Sequence, residues 1–231
     1  MKRDWWSLGG RFKGMLIPRE GAQTKTGEQG ANGTTYLDGM GVMFRSEFPE
    51  HAQLLRDRRR SLEAQFPTAV DAVRKRDLNS DAMRQREIAL RSHAWSWCVE
   101  MATARGLSGD PVALDRIRAD FGRAHARLQQ TRFDHPLTDS PQSASDLYGA
   151  ELWPYADIFL MSDIYLGPHD IADWIEAAPA LLTSSIVENG SWYAAARFGA
   201  QDATETWQQQ FAAIFAQIPA DQWLAVVDYH L

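Results

Sequence analysis

Apolar residues recur every three or four positions over much of the chain, and this spacing predicts helices before any other element. Phe48, Ala52, Leu55, Leu62 and Phe66 share one helical face, which Pro67 closes. Pro67 also suits the first turn of a second helix, predicted to run to about Leu78. Ser80 can cap a long third helix ending at Gly106, because glycine readily adopts the left-handed conformation of a C-terminal cap. Asp110-Pro111 marks the next helix start, and Leu114, Ile117, Phe121 and Leu128 keep one face apolar to about Thr131.

After a stretch rich in Pro, Ser, Thr and Asp at 133–143, which reads as the main internal linker, residues 144–165 read as helix interrupted at Pro154. Pro168 opens another helix, predicted to reach about Leu182, with Ile171, Trp174, Ile175, Ala178 and Leu181 on one side. The pattern then changes. Ser185–Glu188 and Ser191–Phe198 read as strands joined at Asn189-Gly190, a pair that supplies the positive φ angles of a hairpin turn. Trp207, Phe211, Ile214, Phe215 and Ile218 mark a helix stopping before Pro219, and Trp223–Leu231 reads as a buried strand. The glycine-rich lead-in at 7–41 has little periodicity and reads as loop, apart from a short strand at Gly14–Pro18. The expected class is therefore α+β: a mostly helical first two-thirds followed by a small hairpin–helix–strand unit.

Composition sharpens this picture mainly through charge. The 231 residues are 45% hydrophobic and 23% charged, ordinary values for a globular protein, but nine are tryptophan, a residue that fills cores or holds interfaces. Residues 45–132 carry 17 Lys+Arg against 12 Asp+Glu, a net of +5. Residues 133–231 carry one basic residue, Arg197, against 14 acidic ones, a net of −13. The chain thus divides into a glycine-rich lead-in (1–44), a basic helical region (45–132) and an acidic α+β region (133–231), expected to form one compact domain with the helices. No run approaches the roughly 20 apolar residues of a membrane helix, and the charges of MKRDWWSLGGRFKGM leave no secretory signal core. With a single cysteine, Cys98, in an apolar helical stretch, these features point to a reducing cytoplasm and exclude an internal disulfide.

Familiar catalytic patterns are missing. GAQTKTGEQG lacks the Gly-Lys-Ser/Thr ending of a phosphate loop, since Lys25-Thr26 precede Gly27. The six histidines form no His-Glu-x-x-His and lie near no cysteine at zinc spacing. Asp157, Asp163, His169, Asp170 and Asp173 are the nearest approach to a metal constellation, without calcium-loop spacing, and read as a solvated acidic face. Gly-x-Ser-x-Gly does not occur. Neither a cofactor nor a metal is expected, nor a catalytic residue. Arg56, Arg58, Arg59, Arg60, Arg74, Lys75 and Arg76 interleave with Glu47, Glu50, Asp57, Glu63, Asp71 and Asp77, the usual pattern of a solvated helix surface rather than a nucleic-acid patch.

Between Asp146 and Glu176, carboxylates mix with Tyr148, Trp153, Tyr155, Tyr165 and Trp174. Aromatic side chains among carboxylates suit a docking surface that is electrostatically steered toward a basic protein. The candidate partner-binding residues are Glu151, Asp157, Asp163, Asp170, Asp173, Glu176 and Tyr165.

The C-terminal stretch RFGAQDATETWQQQFAAIFAQIPADQWLAVVDYHL is similar to the polymorphic-toxin immunity family numbered fifty-two, in element order and texture over the last third of the chain. More broadly, the chain resembles bacterial immunity proteins, small cytosolic inhibitors of toxins delivered by the type VI secretion system. The resemblance implies an α+β protein, encoded beside a toxin with a restriction-endonuclease-like nuclease domain, that blocks that toxin by stoichiometric binding rather than catalysis. It carries over no functional residue. A hydrolase with an unrecognised carboxylate site and an effector adaptor or chaperone are the alternative readings.

Overall fold

A computed structural model describes residues 5–8, 15–25, 57–58, 61–62, 64–66, 70–134, 148–162, 164–183, 185–188, 191–194 and 201–230. The class is α+β. The helices are α1 (Ser80–Ala104), α2 (Pro111–Asp134), the short α3 (Ala156–Met161) and α4 (Ile171–Glu176), and α5 (Gln201–Gln217). The strands are β1 (Trp5–Leu8), β2 (Thr24–Lys25), β3 (Ala72–Arg74), β4 (Ser185–Glu188), β5 (Ser191–Ala194), β6 (Trp223–Ala225) and β7 (Val227–His230).

Of the three antiparallel sheets among the described residues, two join N-terminal to C-terminal segments. β1 pairs with β7, and β3 lies between β2 and β6 with Val73 opposite Thr24 on one side and Leu224 on the other. β4 and β5 pair with each other alone. Around the three-stranded sheet, Leu16, Ile17, Val70, Val73, Leu78, Met83 and Val226 form one apolar core. A second core lies among the helices, where Trp97, Cys98, Met101, Leu114, Phe121, Tyr155, Ile158, Phe159 and Ile171 are buried. α1 spans both, with Met83 in the first and Trp97 to Ala102 in the second. At 1.5 Å rise per residue a helix of this length reaches about 37 Å, enough to bridge them.

The helix boundaries follow local chemistry. The Asn79 side chain, one residue before the predicted cap, accepts from the Ala82 amide at 3.0 Å, and Gly106 beyond the helix end has φ +68°. Asp110 accepts from the Ala113 amide at 2.8 Å, and Pro111 occupies the first turn of α2, where its missing N–H costs nothing. The α5 helix and its stop before Pro219 stand as the pattern predicts, and β4 and β5 form the predicted hairpin pair over Ser185–Glu188 and Ser191–Ala194. Asn189-Gly190 and the rest of the predicted second strand, 195–198, lie outside the described residues.

Other expectations are corrected. The helix predicted from Pro67 to Leu78 is instead strand β3 followed by a 3-10 turn at Lys75–Asp77. Ala72 and Val73 are buried at the centre of a three-stranded sheet, and pairing on both sides outweighs a local helical pattern. The helix predicted from Pro168 to Leu182 shrinks to α4. Pro179 disfavours helical geometry at Ala178, and the Arg84 side chain takes up the carbonyls of Glu176 and Ala178 instead. The single terminal strand proves to be two, β6 and β7, which join different sheets on either side of buried Val226. The glycine-rich lead-in supplies β2, and Leu16 and Ile17 are wholly buried, with Leu16 bridged to Val70 and Pro18 to Leu78. Of the helix expected over 48–66, Asp57–Arg58 and Ser61–Leu62 are helical, Ala64–Phe66 form a turn and bend instead, and the rest lies outside the described residues, as does the linker beyond Asp134.

Candidate functional site

The acidic region is held from beneath by arginines of the basic region. Arg118 falls on the apolar face of α2, between Leu114 and Phe121, and is 1% exposed. Its Nη1 donates to the carbonyls of Tyr165 (2.7 Å) and Gly167 (2.8 Å), and its Nη2 to that of His169 (2.6 Å). Its Nε donates to Asp115 at 2.6 Å, and the other Asp115 oxygen accepts from the Ile171 amide at 3.1 Å. A buried guanidinium is tolerated when its donors are matched in this way. The segment 165–171 is therefore wrapped around one side chain. Gly122, one turn further along α2, permits the contact, because a Cβ there would meet the Leu166 carbonyl oxygen at 2.1 Å.

α1 supplies the second set of contacts. Arg91 donates to the Trp174 carbonyl at 2.5 Å and lies 4.4 Å above the Trp174 ring, while Arg84 reaches the ends of α4 and the following turn. Tyr165 stacks on Trp174 with centroids 5.7 Å apart and on His169 at 6.3 Å. These rings fix the inner side of α4, where Ile171 is buried and Trp174 and Ile175 are half-buried.

The outer side differs. Asp170, Asp173 and Glu176 are exposed, follow one another at intervals of three residues, and make no ion pair among the described residues. Asp170 holds the N-cap position of α4 without a capping hydrogen bond from its side chain. Arg118 and Arg91, which hold this segment, are occupied by backbone carbonyls, by rings and by the carboxylates of Asp115 and Glu87. The result is a layered charge arrangement, with guanidinium groups against the backbone and carboxylates facing water.

The remaining candidates divide. Tyr165 is half-buried and belongs to the ring stack that supports α4. Glu151 is exposed in the turn before the 3-10 helix Trp153–Tyr155, beside Trp153, whose ring stacks on Tyr148 at 6.1 Å. Asp157 is turned inward toward Arg105, at 4.0 Å, so its carboxylate is not open to a partner in the same way. Asp163 lies outside the described residues. Asp115, Arg118, Arg84 and Arg91 were not singled out from the sequence. The available signal was a cation inside the apolar face Leu114–Ile117–Phe121, with a carboxylate three residues before it.

The basic run Arg74–Arg76 is likewise committed to the C-terminal region. Arg74 donates to the Asp221 carbonyl (3.0 Å), Arg76 pairs with the Asp221 carboxylate, and Lys75 caps α5 through the carbonyls of Ala216 (3.1 Å) and Ile218 (2.6 Å). A cavity of about 300 Å³ beside them, lined by Glu20, Gly21, Ala22, Gln23, Arg74, Arg76 and Asp77, includes none of the candidate docking residues. Cys98 is fully buried, donates to the Ser162 hydroxyl at 3.2 Å, and is pushed by burial up to about 12, which keeps the thiol protonated and unreactive. Among the described residues no three His, Cys, Asp or Glu side chains gather as metal ligands, and no helix is long and apolar enough to cross a membrane. No protein-family model, curated protein or solved structure matches the chain.

Proposed function

We propose that the protein is a cytoplasmic immunity protein that binds and inhibits a cognate secreted toxin, a nuclease effector of the type VI secretion system, through its acidic C-terminal region. One observation supports the reading: Asp170, Asp173 and Glu176 stand exposed, without an ion pair among the described residues, on a short helix and its N-cap that buried Arg118 and half-buried Arg91 fasten to the body. A nuclease must attract phosphate, so its substrate face is basic, and a fixed carboxylate surface can cover it. Steering of this kind raises association rates by about 10–10³-fold and weakens with salt. Holding the helix in advance of contact lowers the ordering cost of binding. The net of −13 over 133–231 against one arginine supplies the longer-range field.

The test begins with the neighbouring gene, which should encode the toxin. Co-expression should rescue toxin-producing cells in proportion to the dose of inhibitor. The triple reversal Asp170→Lys, Asp173→Lys, Glu176→Lys should leave the fold intact and lower the association rate with the purified toxin at least about tenfold at low salt. Rescue and association rate unchanged by the reversal would remove the basis of the reading.

A further inference from the structure

The β4–β5 hairpin is a sheet of two strands that no other strand joins among the described residues. Two strands alone have marginal stability in water. This hairpin is tied to the body at its root, where the Trp207 indole donates to the Thr183 carbonyl at 2.6 Å and the Thr183 hydroxyl to the Ser185 carbonyl at 2.7 Å. The register pairs Glu188 with Ser191, Val187 with Trp192, Ile186 with Tyr193 and Ser185 with Ala194. A two-residue connection makes Glu188 and Ser191 a hydrogen-bonded pair, and alternation then leaves Val187, Trp192 and Ala194 with their amide and carbonyl groups turned outward.

Natural sheet edges are commonly blunted by very short strands, charged side chains, proline or a bulge. Both strands are short, and β4 carries Glu188, but β5, Ser-Trp-Tyr-Ala, has neither charge nor proline, and Val187 and Tyr193 are 53% and 40% exposed. Such an edge is a template for one more strand. A second copy of this chain would bring its own net −6, and its own acidic region, against the same surface. A strand carrying positive charge meets no such opposition.

We infer that the outer edge of β5 pairs with an edge strand of a cationic protein, adding a third strand to the hairpin. The choice of a cationic partner rests on the function proposed above; the edge left unpaired among the described residues does not. Backbone pairing supplies affinity in this mode, and alternate side chains supply selectivity.

The inference is tested on the full chain by amide hydrogen exchange with three synthetic peptides. One is an eight-residue alternating Lys-Val strand, the second its Glu-Val counterpart, and the third the Lys-Val peptide with two valines replaced by proline. The Lys-Val peptide should slow exchange at the Trp192 and Ala194 amides at least about tenfold, and the other two should not. Ala194→Pro removes an outward N–H that β4 does not use and should weaken Lys-Val binding at least about tenfold. If that variant fails to fold, the exchange pattern of the unmodified chain decides. Equal protection by the proline-containing peptide, protection that rises with protein concentration alone, or no protection at those amides would each overturn the inference. Protection by the Lys-Val strand with no toxin gene nearby would sink the proposed function and leave the edge pairing standing.

Discussion

Replacing Arg118 with methionine keeps the length of the side chain and removes every donor. The guanidinium serves three carbonyls and one carboxylate, all within 2.8 Å. Breaking a buried ion pair by deleting one partner costs about 3–5 kcal/mol, because the other is left without its counter-charge. Asp115 keeps its bond to the Ile171 amide and is 17% exposed on its side chain, which moderates its share. The three carbonyls can regain hydration only if 165–169 lifts away from α2, which would uncover Ile164 and Ile171 in the helical core. Either way Arg118→Met should lose about 4 kcal/mol. For a chain of this length that is a fall of about 8–16 °C in Tm, read by calorimetry or circular dichroism. Arg118→Lys keeps the charge without the planar fork and should fall between the two. A loss under about 1 kcal/mol for the methionine variant, or lysine matching arginine, would refute the claim that this side chain holds the acidic helix in place.

Gly122→Ala should cost about 1–3 kcal/mol in urea unfolding, since its methyl must displace the Leu166 backbone rather than a flexible side chain. Cys98 should resist iodoacetamide at pH 8 in the folded protein and react in guanidinium. Because burial holds its folded pKa near 12 while the unfolded thiol ionises near 9.0, its contribution to stability is complete below about pH 9. That contribution then declines by up to about 1.4 kcal/mol per pH unit as pH rises, and Cys98→Ala should remove this part of the profile. Lys75→Met should cost about 1 kcal/mol by uncapping α5, with the loss in thermal unfolding reduced by high salt.

The long helices were legible because their caps are local: Asn79, Gly106, Asp110 and Pro111 act within a turn of their own position. The hairpin was legible for the same reason. β3 was not, because its state is decided by β2 and β6, one about 50 and the other about 150 residues distant. Wholly buried Leu16 and Ile17 were obscured by the glycines around them, which erase periodicity without preventing burial. At the candidate site, charge bias pointed to Glu151, Asp170, Asp173 and Glu176, which are exposed, and equally to Asp157, which is turned inward. The arginines beneath them could not be read, since their acceptors are mostly main-chain carbonyls, which every residue possesses and no sequence pattern marks.

The pairing of Ala72 with Ala225 has a bearing on synthesis. At about 5–20 residues per second, a ribosome needs roughly 10–30 s to travel from one to the other. Throughout that interval the nascent chain can complete only the β2 side of β3, and the apolar surface meant for Leu224 and Val226 waits uncovered. A chain ending before Trp223 would therefore be prone to capture by chaperones or proteases, although it contains every helix of the described residues.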